Sequence, residues 1–152
     1  MMTLQILQWN SNSLVAHQSQ LKKFLTEMEK RPDIICIQET FLRPKKIVNK
    51  QEVDLVFSFP GYSVVRRDRV SDTQGGGVAT LIKEGISYTT LNTVNDIEAL
   101  SVQINLASKQ KLTITNIYHP PETQIDPSIF KKLFELKYSI ILGDFNSFSS
   151  LC

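Results

Sequence analysis

Cysteine is scarce in this sequence: Cys36 lies inside an apolar run and Cys152 is the last of 152 residues. Two such cysteines make no disulfide framework, so a reducing, intracellular setting is expected. Long apolar runs are missing as well. No stretch approaches the about 18 consecutive apolar residues of a membrane span, and the N-terminus lacks the regions of a secretion signal, so no membrane partner is expected. Charge is nearly balanced: 17 Lys and Arg against 15 Asp and Glu leave a formal charge of +2 and a pI near 8.5. That falls short of the strongly basic signature of a nucleic-acid binder, and it permits a polyanionic partner without requiring one. Glycine and proline number only six each, and with 41% hydrophobic and 21% charged residues they argue against a disordered chain. Internal repeats, linkers and low-complexity segments are absent, so residues 1–152 are expected to form one domain. Lys45-Lys46 and Arg66-Arg67 are too short to be a nuclear import signal.

What is present is an ordered alternation of strand and helix patterns. Leu4 to Trp9 mixes apolar and polar residues as a half-buried strand does, and Asn10-Ser11-Asn12-Ser13 suits a turn and a helix cap. Leu21, Phe24, Leu25 and Met28 recur at helical spacing and predict an amphipathic helix that Pro32 closes. Ile34-Ile35-Cys36-Ile37 reads as a strand buried on both faces, delivering Gln38-Glu39-Thr40 to its end. Residues 41–60, without a clean period, read as a long loop. Tyr62 to Arg67, Gly77 to Lys83 and Ile86 to Leu91 predict an antiparallel meander. Gly75-Gly76-Gly77, with no Lys-Ser/Thr after it, is no phosphate loop and predicts a bend or a close strand approach. Strict alternation from Leu100 to Leu106 and from Leu112 to Tyr118 predicts a hairpin. Asp126-Pro127 opens a second helix with Phe130, Leu133 and Phe134 as its stripe, and Tyr138 to Leu142 is the last strand. This order implies a mixed sheet with helices packed on it, an α/β fold of the α+β type.

Polar side chains stand at the ends of four of these strands: Asn10 and Asn12, Glu39, Tyr118, and Asp144 with Asn146. In Gly143-Asp144-Phe145-Asn146 a carboxylate and a carboxamide two residues apart point to one face if the strand continues. Each residue alone is better explained as a turn former, a cap or a solvated charge. Their conjunction at the ends of buried strands suits work on a metal ion, a phosphate or an attacking water. Arg66, Arg67 and Arg69 read as a solvated charge run that can also touch a DNA backbone. Glu98 reads as a surface carboxylate.

Taken in order, Trp9-Asn10, Gln38-Glu39-Thr40, Asn116-Ile117-Tyr118 and Gly143-Asp144-Phe145-Asn146 resemble the endonuclease/exonuclease/phosphatase superfamily. The phrases LQWNSNSL, DIICIQETFL, GGGVATLI, NIYHPP and IILGDFN are most similar to the endonuclease domain of non-LTR retrotransposons. The resemblance implies a four-layer sandwich of two mixed β-sheets flanked by helices, truncated here to the first sheet and the start of the second. It implies phosphodiester hydrolysis with Mg²⁺ or Mn²⁺, DNA as the partner, a larger polyprotein with reverse transcriptase, and a nuclear location in the parent element. Carried over to this chain, Glu39 is the metal ligand and Asn10 its support, and Asn12 stands where some relatives have Asp. Tyr118 contacts the scissile phosphate, Asp144 positions or deprotonates the attacking water, and Asn146 orients the water or the phosphate.

One departure stands against these matches. Relatives finish the site with a C-terminal Asp-His pair and a further acidic residue, for which this sequence has no counterpart; His17 and His119 do not occupy the matching place. The resemblance therefore implies a C-terminally incomplete domain, inert or severely impaired alone, whose first sheet exposes an apolar face. The alternatives are a phosphatase or other phosphoesterase branch of the superfamily, and a non-catalytic remnant that at most binds DNA or a partner.

Overall fold

The computed structural model describes residues 3–71, 73–92, 97–121 and 123–146, so Cys152 lies outside the described residues. Its first sheet takes the strands β1 (Ile6–Asn10), β2 (Ile34–Gln38), β5 (Tyr62–Arg67) and β6 (Val78–Lys83) in the order β1-β2-β6-β5. The second takes β7 (Tyr88–Leu91), β8 (Glu98–Asn105), β9 (Lys111–Tyr118) and β10 (Ser139–Asp144) in the order β10-β9-β8-β7. Helix α1 (Leu14–Glu27) lies on the outer face of the first sheet, and α2 (Pro127–Phe134) on that of the second. The result is the expected helix, sheet, sheet, helix sandwich, with a second sheet four strands wide where only its start is expected from the sequence.

Three apolar layers hold it together. Between α1 and the first sheet pack Leu14, Leu21 and Leu25 against Ile35, Ile37 and Leu81. Between the sheets lie Ile34, Cys36, Ile82, Val102, Ile104 and Ile114. Under α2 are Ala99, Ile117, Ile129 and Leu133. Truncating one of the fully buried isoleucines to alanine would cost about 2–5 kcal/mol. Strand β2 shows why its residues are apolar without alternation: one side meets the helix and the other meets the second sheet, and all five residues are fully buried. Both faces of the first sheet are thus covered, contrary to the exposed apolar face expected from the sequence. Each sheet keeps two edge strands, β1 and β5 in the first and β7 and β10 in the second, and the edges β1 and β10 lie against one another.

Several local expectations change. Within residues 41–60 the strands β3 (Lys45–Val48) and β4 (Gln51–Asp54) form a separate two-stranded hairpin, turned by Asn49 and Lys50 at φ 50° and 65°. Two successive left-handed residues are what a tight hairpin turn needs. The meander ends after β6, because β7 pairs with β8 in the second sheet; a four-residue strand carries no mark of which sheet it joins. In α2 the buried stripe is Ile129 and Leu133, and Phe134 is exposed; in α1 Phe24 is half exposed.

Candidate active site

Parallel pairing gathers the site. Strands β1 and β2 run parallel with Asn10 opposite Gln38, and β9 and β10 run parallel with Tyr118 opposite Asp144. Both pairs therefore end at one rim of the sandwich, and the polar residues that follow are delivered together. Antiparallel pairing brings two strand beginnings to the same rim: Val78 stands opposite Gln38, and Glu98 opposite Tyr118.

At the rim the turn after β1 continues the sheet register. The backbone N–H groups of Ser11, Ser13 and Leu14 donate to the carbonyls of Gln38, Glu39 and Thr40, each at 2.9 Å, and Ser11 Oγ donates to the carbonyls of Gln38 and Glu39. Glu39 is held at φ 51° by these contacts. A non-glycine residue in the left-handed region is uncommon and persists where its surroundings overdetermine it, as at a functional site.

Asn10 joins the two sheets. Its Nδ2 donates to Glu39 Oε1 at 2.8 Å and to Asp144 Oδ2 at 2.7 Å, while its Oδ1 accepts from the Asn12 backbone at 3.1 Å. Carboxylates only accept, which fixes the orientation of this amide. Tyr118 is buried beside them. Burial, followed by the charge and hydrogen bonding of the Glu39 carboxylate, pushes its phenol up to about 12. The phenol thus stays a neutral donor through the physiological range. Asp144 Oδ1 accepts from the Asn146 backbone at 3.2 Å, and Asn146 Nδ2 donates to the His119 carbonyl at 2.8 Å. Gly143 makes this corner possible: at φ +149° it passes so near β9 that a Cβ would lie 1.9 Å from the Ile117 carbonyl oxygen.

Of the residues named from the sequence, the structure brings Asn10, Glu39, Tyr118 and Asp144 together. Asn146 is attached at the border through Asp144. Asn12 contributes its backbone N–H, with its side chain exposed. His119 is occupied elsewhere: its Nδ1 pairs with the Phe145 carbonyl at 3.0 Å and its Nε2 with Thr123 Oγ1 at 2.9 Å.

Glu98 and Arg69 were underrated by sequence reasoning. Glu98 crosses from the second sheet to accept from the Gly77 backbone at 2.9 Å and from Arg69 Nε. Arg69 in turn lies 6.0 Å from the centre of the Tyr118 ring. Gly77 is a true close approach, since a Cβ there would stand 2.6 Å from Thr40 Oγ1. The arginines do not form a solvated run. Arg66 binds the Leu55 carbonyl and Asp68, and Arg67 the Ala99 carbonyl. Beside Tyr118 a cavity of about 320 Å³ opens between Arg67, Arg69, Glu98, His119 and Thr123. A nucleotide-sized group fits that volume.

Chemically, two carboxylates share one amide donor beside a neutral phenol and a partly buried guanidinium. Among the described residues no group of three or more His, Cys, Asp or Glu is placed to hold a metal. An ion here would take at most the Glu39 and Asp144 carboxylates and keep waters, the habit of hard Mg²⁺ or Mn²⁺.

Solved structures share this fold. The endonuclease domain of TRAS1, a telomere-specific non-LTR retrotransposon, superimposes with a TM-score of 0.68 at 18% identity, over 97% of this chain and 62% of that one. The 3'-5' exonuclease NExo from Neisseria meningitidis gives a TM-score of 0.57 at 20% identity, over 94% and 58%. ANGEL2, a 2',3'-cyclic phosphatase, gives 0.53 at 11% identity, over 97% and 54%. The chain thus spans less than two thirds of each of these structures. Comparison with curated proteins gave no match. The model of the Endonuclease/Exonuclease/phosphatase family matches residues 7–150, nearly the whole chain, and the chain belongs to that family.

Proposed function

We propose that this chain is the N-terminal part of a divalent-metal-dependent DNA endonuclease of the retrotransposon kind, which nicks target DNA to prime reverse transcription. The observation that carries the reading is the Asn10 amide bridging the Glu39 and Asp144 carboxylates beside the buried Tyr118 phenol. The similarity to the TRAS1 endonuclease domain, over 97% of this chain, supports the retrotransposon branch. The parent polypeptide would carry reverse transcriptase as well and would work in the nucleus.

Mechanistically, Glu39 would hold Mg²⁺ or Mn²⁺ together with waters, and the ion would supply charge neutralisation at the scissile phosphate when bound. The Tyr118 hydroxyl, paired with Glu39 in the free site, would turn to donate to a phosphate oxygen as negative charge develops there. Asp144, oriented by Asn10, takes the proton of the attacking water, and Asn146 fixes the water's direction of approach. Arg69, ion-paired to Glu98, lies next to Tyr118 at the same rim.

Plasmid nicking in Mg²⁺ or Mn²⁺ tests this, run on the longest polypeptide that contains the chain and on the 152 residues alone. The longer polypeptide is expected to convert supercoiled plasmid to open circles, and Glu39→Gln to abolish this. The short form is expected to be inert or severely impaired. Release of phosphate from monoesters with plasmid left intact would overturn the nuclease reading in favour of a phosphatase.

A further inference from the structure

Directly beneath the charged rim lies a layer of buried amides. Gln38 and Asn116 are fully buried, one from each sheet. Gln38 Nε2 donates to Asn116 Oδ1 at 2.7 Å, and Gln38 Oε1 accepts from Gln8 on β1. Asn116 Nδ2 crosses into the first sheet, donating to the Ala79 carbonyl at 2.9 Å and the Ile37 carbonyl at 3.2 Å. Three strands of the first sheet are thereby tied to β9 of the second. Each tie sits next to a rim residue: Gln38 precedes Glu39, and Asn116 lies two residues before Tyr118 on the same face of its strand.

We infer that the Gln38–Asn116 pair is a positioning device: it locks the two sheets in the one relative placement that sets Glu39 against Tyr118. The physical argument is one of direction. Below this layer the sheets meet through Ile34, Cys36, Ile82, Val102 and Ile114, and apolar packing is non-directional. Hydrogen bonds of 2.7–2.9 Å are directional, and a slip of an ångström would break them. Stability alone does not call for amides here, because two apolar side chains of similar shape serve nearly as well as a satisfied buried pair. The pair matters for turnover only if the phosphodiesterase reading holds; its effect on Tyr118 does not depend on that reading.

The experiment reads the Cζ resonance of ¹³C-labelled Tyr118 by NMR at neutral pH, assigned by its loss in Tyr118→Phe. Asn116→Leu is expected to shift or split this resonance as the phenol leaves Glu39. Gln38→Met, which keeps side-chain length, is expected to move it the same way by less. Ile114→Ala, a buried apolar truncation on the same face of β9, serves as the destabilised control and is expected to leave it in place. The reciprocal swap Gln38→Asn/Asn116→Gln restores an amide pair of the same summed length and is expected to recover the parent resonance. In the nicking polypeptide, Asn116→Leu is expected to lower kcat by about 10²-fold with KM unchanged. An unmoved resonance in both Asn116→Leu and Gln38→Met, or an equal shift in Ile114→Ala, overturns the proposal. A parent polypeptide that fails to nick DNA overturns the nuclease reading and leaves the NMR result to decide on the amide pair.

Discussion

Asn10 Nδ2 and Asp144 Oδ2 are 134 residues apart in the chain and 2.7 Å apart in space. The same nitrogen serves Glu39, so one amide keeps two carboxylates from facing each other bare. Replacing it by alanine leaves like charges side by side without a shared donor. Asn10→Ala is expected to reduce the nicking rate by about 10²-fold, the usual effect of losing one preorganised donor. Nicking kinetics at saturating metal would check this.

Glu98 ties the Gly77 backbone and Arg69 to the second sheet. Glu98→Leu removes both ties and leaves a largely buried guanidinium without its carboxylate. A loss of about 2 kcal/mol is expected. Glu98→Gln keeps an acceptor for Gly77 and should lose less than half of that. Urea denaturation of the two variants beside the parent measures the difference.

Gly143 admits no side chain. With a Cβ 1.9 Å from the Ile117 carbonyl, Gly143→Ala must push β10 away from β9 or change the backbone. We expect a loss of more than about 3 kcal/mol, seen as a lower urea midpoint with an unchanged slope.

Alkaline stability should report on two buried groups. Burial raises Cys36 from 9.0 to about 12, and burial with the Glu39 charge raises Tyr118 from 10.0 to about 12. Each proton is held more tightly folded than unfolded, so the folded state binds more protons between the two values and stability falls as pH rises. The contribution is complete below pH 9 for Cys36 and below pH 10 for Tyr118, and is lost by about pH 12. Melting temperatures should decline across this range, and more gently in Tyr118→Phe.

Reagents for thiols should not find Cys36 in the folded protein. It is fully buried, and the thiolate, which is the reactive form, is suppressed by that burial. In a Cys152→Ser background, Ellman's reagent is expected to release no colour until urea unfolds the chain.

Much of this site was legible because the strands that carry it are marked by continuous apolar runs. Ile34 to Ile37 announces the fully buried β2; Ile140 to Leu142 announces a strand as well, though β10 is a half-buried edge with Ile140 exposed, and a polar residue at the end of either strand has to emerge at a rim. Glu98 was within reach of the same reasoning. Folding the Leu100 to Tyr118 hairpin about its turn at Ala107 to Gln110 sets Glu98 opposite Tyr118, as the register shows. Arg69 was not, because it reaches the site only through the course of the backbone after β5, and a charge run reads as solvated whatever it later binds. The hairpin at Lys45 to Asp54 was hidden by exposure: seven of the eight residues in its strands face solvent, so no apolar alternation marks them. The destination of Tyr88 to Leu91 was equally silent, being decided by which partner strand lay free rather than by its own four side chains.

Two of the four edge strands, β1 and β10, lying against one another, carry a further consequence for handling the protein. Each presents a row of backbone donors and acceptors to solvent, and neither ends in a proline or carries a lysine that would deter a passing strand. Ile140 adds apolar surface to the second row. At high concentration the molecules are templates for one another, so dilute solution and short storage are the conditions under which measurements on it describe a single chain.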